Sequence, residues 1–164
     1  MADTGTQLLL NNIAQVIGGT VSAKDAHFFS GDLAGDSTGI AGIKGCYSNI
    51  PLGIQTTPVG IVYVDMFDVQ IAFQGEELNT DTIRLLILIA PDEHRSRLSG
   101  TATPFRDSVM TAIRANMTFL STPNVLGPTR ISGKAGVHEW GGIPYIAWDF
   151  TLRIERMFHP IYTG

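Results

Sequence analysis

Cysteine is almost absent from this chain. Cys46 is the single one among 164 residues. An intramolecular disulfide is therefore excluded, and a zinc site would have to draw its ligands from elsewhere. Charge is scarce as well: Asp, Glu, Lys and Arg together make up 16% of the residues, against about 25% in an ordinary soluble domain. A chain so short of charge must hide surface or meet a partner, because obligate interfaces are depleted of charge at their centres. There is no basic block. The densest cationic cluster is Arg95 and Arg97, and the formal net charge is −4. Sequence-specific nucleic-acid binding is not expected, since phosphate contacts need clustered Lys and Arg. An acidic surface instead lets DNA pass without sticking. No apolar run reaches the length of a membrane span; the longest, residues 85–90, is strand-sized. The opening MADTGTQLLLNNIAQ lacks a basic segment and a long apolar run, so no export signal is expected. The Asn116-Met117-Thr118 sequon then has no meaning.

The residues present suit one domain over 1–164, long enough to bury a core. Leu9, Leu10, Ile13, Val16 and Ile17 recur at helical spacing, which predicts a helix over residues 6–17. Thr4 or Thr6 is its candidate cap, and Gly18-Gly19 its end. Residues 18–58 hold eight glycines, at 18, 19, 31, 35, 39, 42, 45 and 53, and have poor periodicity. They read as a long loop or arm with one or two short strands, anchored by His27, Phe28 and Phe29. Phe28 and Phe29 either pack the loop or reach a neighbouring subunit.

From Val59 the pattern becomes β. Val59, Ile61 and Tyr63 alternate with other residues, as do Phe67, Val69, Ile71 and Phe73 with Asp68 and Gln70. Residues 75–81 read as a polar turn, whose Glu76, Glu77 and Asp81 are candidate acidic groups for a DNA-facing lumen or for a solvated turn. Residues 82–90 are nearly continuous apolar, as in a central strand covered on both faces. A charged loop follows. Thr103-Pro104 then predicts a helix start, with Thr as N-cap and Pro at the first position, and the helix runs to about Thr118. The last third predicts a long hairpin: one arm over 129–138, a turn at Glu139-Trp140-Gly141-Gly142, and a return arm over 143–155. Ile146, Trp148, Phe150, Leu152 and Ile154 share one face of that arm. The expected class is α+β, a mostly antiparallel sheet with two helices on one face and a long C-terminal hairpin.

Motifs for chemistry fail on inspection. The segment from Gly127 to Lys134 has five residues between its glycines, Ala135 where a phosphate loop needs Ser or Thr, and a strand after it. Asp92-Glu93-His94 and His138-Glu139 lack a second histidine at helical spacing. There is no nucleophile elbow. Cys46 and His27 are the minimum for a thiol nucleophile, yet nothing in the spacing makes them neighbours. No enzymatic activity, cofactor or metal is expected. At the hairpin turn, His138, Glu139 and Trp140 are candidate contacts to a partner, Trp140 serving either as interface anchor or as a cap on its own core.

One pattern runs from about Val59 to the C-terminus. It combines the apolar strand, a Pro-led helix with Ser108-Val109-Met110-Thr111-Ala112-Ile113, and a final run from Gly141-Gly142-Ile143-Pro144-Tyr145 through Ala147, Phe150 and Leu152 to Ile154. It resembles the tail terminator (tail completion) proteins of long-tailed bacteriophages, whose members often carry a Ser-Val-x-x-Ala-Ile helix and a Gly-Gly-x-x-Tyr-x-Ala ending. The resemblance covers about two thirds of the chain and departs from the family in the length of residues 18–58. It implies a structural virion protein, assembled in the host cytoplasm and located in the tail or neck. Such a protein forms a homohexameric ring on the head-proximal end of the tail tube, ends tube polymerisation and joins the tail to the head. The implied partners are further copies of itself, the tail tube protein and a head-completion or neck protein. DNA passes through without specific binding, and no membrane is involved. Six copies at −4 each would carry −24 of formal charge, which suits a DNA passage. The alternatives are another phage neck or tail-tube subunit, or a small-ligand-binding domain built on the Gly-rich segment.

Overall fold

The computed structural model describes residues 5–31, 39–72, 74–91 and 98–159. Among these residues two helices, α1 (Thr6–Gly18) and α2 (Leu98–Ala115), accompany six strands: β1 (Phe28–Phe29), β2 (Gly45–Tyr47), β3 (Val59–Ile71), β4 (Glu77–Pro91), β5 (Val125–Trp140) and β6 (Ile143–Phe158). The strands form one sheet in the order β1-β2-β3-β4-β6-β5. Every neighbouring pair is antiparallel except β2 with β3. The expected α+β architecture with a dominant antiparallel sheet is what the chain builds.

The apolar run of β4 explains the layering. Ile83, Leu85, Ile87 and Ile89 point to one face, where they join Leu9, Ile13 and Ile17 of α1, Val109 and Ile113 of α2, and Phe150, Leu152 and Ile154 of β6. Leu86 and Leu88 point the other way and meet Val59, Ile61, Tyr145 and Ala147. A strand buried on both faces has no polar alternation to display. Each fully buried Ile or Leu contributes about 1.5–3 kcal/mol.

Residues 18–58 fold back onto this sheet. They supply β1 and β2, as the expected short strands, and Phe28, Tyr47 and Ile54 lie over the second apolar cluster together with Tyr63 and Trp140. The described part of the segment is thus a cover for its own second face. Loop packing holds for the residues over that cluster, while Ile50 and Leu52 of the same segment stay exposed; residues 32–38 lie outside the described ones. At the end of α1 the approach is close. A Cβ on Gly18 would stand 2.7 Å from the backbone nitrogen of Cys46, so only glycine lets the helix end seat on β2.

Several boundaries differ from expectation. Among the described residues no side chain caps α1, and Thr4 lies outside them; Gly5 occupies the N-cap, and the N–H of Gly19 closes the other end on the Gln15 carbonyl at 2.9 Å. The α2 helix starts at Leu98 and carries Pro104 inside it, so Thr103 is not its cap; it ends at Ala115, short of Thr118. Val59–Ile71 is one strand, bent by a bulge between Val64 and Met66. Residues 77–81, expected in a turn, already pair in β4 with β3 and β6. The hairpin turn is narrower than expected: β5 runs through Glu139 and Trp140, leaving Gly141 and Gly142 at φ 60° and 81°. Two consecutive left-handed residues match the right-handed twist of the flanking strands.

Candidate functional site

The hairpin residues singled out from the sequence sit at the end of β5. Glu139 is exposed and His138 half-buried, with its ring 6.4 Å from that of Trp140. Trp140 packs against the second apolar cluster of its own chain, so its indole serves folding as well as any contact beyond. Phe29 is 4% exposed and belongs to the main core. Phe28 lies half-buried, its ring 4.6 Å from Tyr47. Of the two readings of this pair, packing of the loop holds for Phe29, while Phe28 keeps part of its ring exposed.

The acidic trio also separates. Glu76 is exposed, with a carboxylate oxygen 3.5 Å from His159 Nδ1, and Glu77 is half-buried at the start of β4. Asp81 is not a lumen residue. It is 3% exposed and accepts from Arg156, which is itself 4% exposed. The contacts are Arg156 Nε at 2.8 Å and Nη2 at 2.7 Å, and Nη2 also donates to Thr6 Oγ1 at 3.0 Å. Nothing in local spacing marks this pair, because the two residues meet only through the β4–β6 register.

A second polar cluster lies on the opposite face. Arg84 Nε donates to Asp149 Oδ1 at 3.0 Å and Nη2 to Oδ2 at 2.5 Å, a bidentate pair across β4 and β6. Asp65, at the β3 bulge, stands 3.8 Å from Arg84 Nη1. The hydrogen bond that Arg84 donates to Asp149 raises the Arg84 pKa further, against the cost of burial. Burial is the main reason that the Tyr63 phenol is pushed up; Arg84 opposes the shift, and Asp149 and Asp65 add to it. The cluster is electrostatically paired, the guanidinium of Arg84 facing the carboxylates of Asp149 and Asp65.

The thiol is not prepared for attack either. Cys46 is fully buried, and burial pushes its pKa far up, whereas a nucleophilic cysteine needs it lowered. Its sulfur contacts the Tyr47 carbonyl at 3.8 Å. His27 Nδ1 instead lies 3.2 Å from Ser48 Oγ and 3.4 Å from Gln7 Nε2. The segment from Gly127 to Lys134 lies within β5, not at a helix N-terminus. Among the described residues no three His, Cys, Asp or Glu side chains converge as metal ligands, and no helix is long and apolar enough to cross a membrane. Asp92, Glu93 and His94 lie outside the described residues. The hollows include one of about 410 Å³ between Ile40 and Ala41 of the Gly-rich segment and Ser108 and Thr111 of α2, one of about 200 Å³ along residues 134–138 beside Ala147 and Asp149, and one of about 240 Å³ between Leu8, Pro123, Arg156 and Phe158.

The surface that stands out is the far half of β3. Phe67, Val69 and Ile71 are 69%, 38% and 72% exposed and share one face; Met66, on the other face, is 59% exposed. The alternation expected there is present, but no helix among the described residues covers it. Phe73, the last member of that alternation, lies outside the described residues. Since β2 pairs with β3 only from Val59 to Ile61, the far half has β4 on one side and no strand among the described residues on the other. At the other side of the sheet, β5 is the outermost strand, with Leu126 and Val137 exposed at 58% and 45%.

No protein-family model matches the chain, and no curated protein matches it in sequence.

Proposed function

We propose that this chain is a structural subunit of a long-tailed bacteriophage, forming a closed ring that caps the head-proximal end of the tail tube. In that role it ends tube polymerisation and joins the tail to the head or neck, and it catalyses nothing. The observation that carries self-assembly is the exposed apolar stripe Phe67, Val69 and Ile71 on an open strand edge. Such an edge is a liability for a monomer and a template for pairing. The terminator role in particular is supported by the sequence resemblance. Its two motifs occupy the centre of α2 (Ser108 to Ile113) and the turn and return strand of the hairpin (Gly141 to Ile154).

Another neck or tail-tube subunit is the second reading, favoured by the 16-residue length of each of β5 and β6. Solution mass by light scattering, with negative-stain images, separates the two. Closed rings of about six copies, alone or on added tail tubes, support the terminator. Open polymers of purified protein support a tube subunit. A protein that stays monomeric with and without tubes overturns both, and thermal-shift ligand screening would then test the Gly-rich segment as a binding site.

A further inference from the structure

We infer that copies of this chain join head-to-tail through their sheets, with the free far edge of β3 in one copy lying antiparallel against β5 of the next. The inference rests on the self-assembly reading above and names the two surfaces that meet.

The cross-sheet register fixes how the two edges compare. One rung runs Met66–Thr82–Arg153–Arg130, and another runs Val69–Asn79–Arg156–Val125. Residues 62–69 of β3 and 125–133 of β5 are therefore at the same height on opposite sides of the sheet. Copies related by rotation about an axis along the strands keep that height. Strand direction alternates across β3, β4, β6 and β5, so equally oriented copies bring β3 and β5 together antiparallel. Beyond Ile61 toward the start of β3, β2 occupies the edge, which confines the pairing to the far half.

Charge and apolarity match on both faces. On the face opposite the helices, Arg130 and Arg153 are direct cross-strand partners and both exposed. Two like charges placed opposite each other destabilise a sheet unless an acid joins them; Glu155 follows Arg153 on the same face. At the same height, β3 presents Asp65 and Asp68 on either side of Met66. A second copy would set Arg130 between these two carboxylates. On the helix face, Phe67 stands level with Pro128 and Val69 with Val125, apolar against apolar. Both edges also bulge at this rung, between Val64 and Met66 and between Pro128 and Arg130. Bulges and charges on an edge discourage indiscriminate pairing and increase local twist, which leaves a matched edge as the partner. The interface is heterologous: it gives a ring where the rotation per copy closes and an open polymer where it does not.

The test uses exposed positions of the full chain, with circular dichroism to verify folding. Asp68→Lys and Arg130→Glu are each expected to abolish the assembled species seen by light scattering, and the double variant Asp68→Lys/Arg130→Glu to restore it. Independently, a chain carrying Met66→Cys and Arg130→Cys should give a ladder of covalent multimers on oxidation. Within one chain these positions are three strand spacings apart, about 14 Å, too far for a disulfide. Rings that survive both single reversals and give no ladder overturn this interface and leave the ring reading standing. A ladder and charge rescue in open polymers support the interface and overturn the ring. A wild-type chain that never associates overturns both.

Discussion

Arg156 of β6 grips Asp81 of β4 across 75 residues of sequence, with both side chains at most 5% exposed and a nitrogen–oxygen separation of 2.7 Å. Thr6, at the start of α1, accepts a further hydrogen bond from the same guanidinium. The pair ties the N-terminal helix to the end of the last strand. Removing one partner leaves a buried charge unmatched, which typically costs 3–5 kcal/mol. Arg156→Met is therefore expected to lower stability by about that amount in urea unfolding. The double variant Asp81→Leu/Arg156→Met should recover most of the loss. If the single and double variants unfold alike, the burial of this pair does not govern stability.

Cys46 yields a prediction about reactivity and pH. Its thiol is enclosed by α1, β2 and β3, and burial raises its pKa above the ordinary 9.0. A raised pKa means that the folded state favours the neutral form. The associated stability is complete below pH 9 and is lost as pH climbs above it. The native protein should resist thiol reagents until denatured, and its melting temperature should fall above pH 9 more steeply than that of Cys46→Ala. Rapid labelling of the native protein would contradict this burial.

The hairpin turn depends on two left-handed residues. Gly141→Ala forces a Cβ into φ 60° and is expected to cost about 1 kcal/mol. Gly141→Asn, which adopts this region more readily, should cost a few tenths at most. Thermal melts of the two variants check the order, and an alanine variant as stable as the asparagine one would refute it.

Trp148 joins the second helix to the hairpin. Its Nε1 donates to the Ala102 carbonyl at 2.5 Å, and its ring stacks 5.6 Å from Phe150. Trp148→Phe keeps an aromatic ring but leaves the carbonyl without this donor. The expected loss is about 1–2 kcal/mol, with reduced amide protection in the first half of α2 by hydrogen exchange. Unchanged protection would show that this bond does not hold the helix down.

Legibility in the sequence followed the range of the interaction. The α1 helix was readable because Leu9, Ile13 and Ile17 lie at helical spacing and face the core as that spacing requires. The apolar run of β4 was readable as a strand covered on both faces, and Ile146 to Ile154 as one side of a return strand. The α2 boundary was not, because Thr103-Pro104 has the chemistry of a helix start although the helix begins at Leu98. The role of Asp81 was misread for a related reason. An acid in a polar stretch looks like part of a turn until the partner strand places Arg156 beside it.

Local periodicity thus determined the element types, the α+β class and the core-facing sides of α1, β4 and β6, because each depends on residues a few positions apart. Tertiary structure alone decided that Phe29 and Asp81 are buried, that Phe67 and Ile71 are exposed, and that Arg130 stands level with Met66. Those outcomes depend on strand order and register, which bring together residues up to 150 positions apart. No window of sequence contains both partners, so the physical reason is the sheet itself: burial and charge pairing are properties of neighbours that only folding supplies.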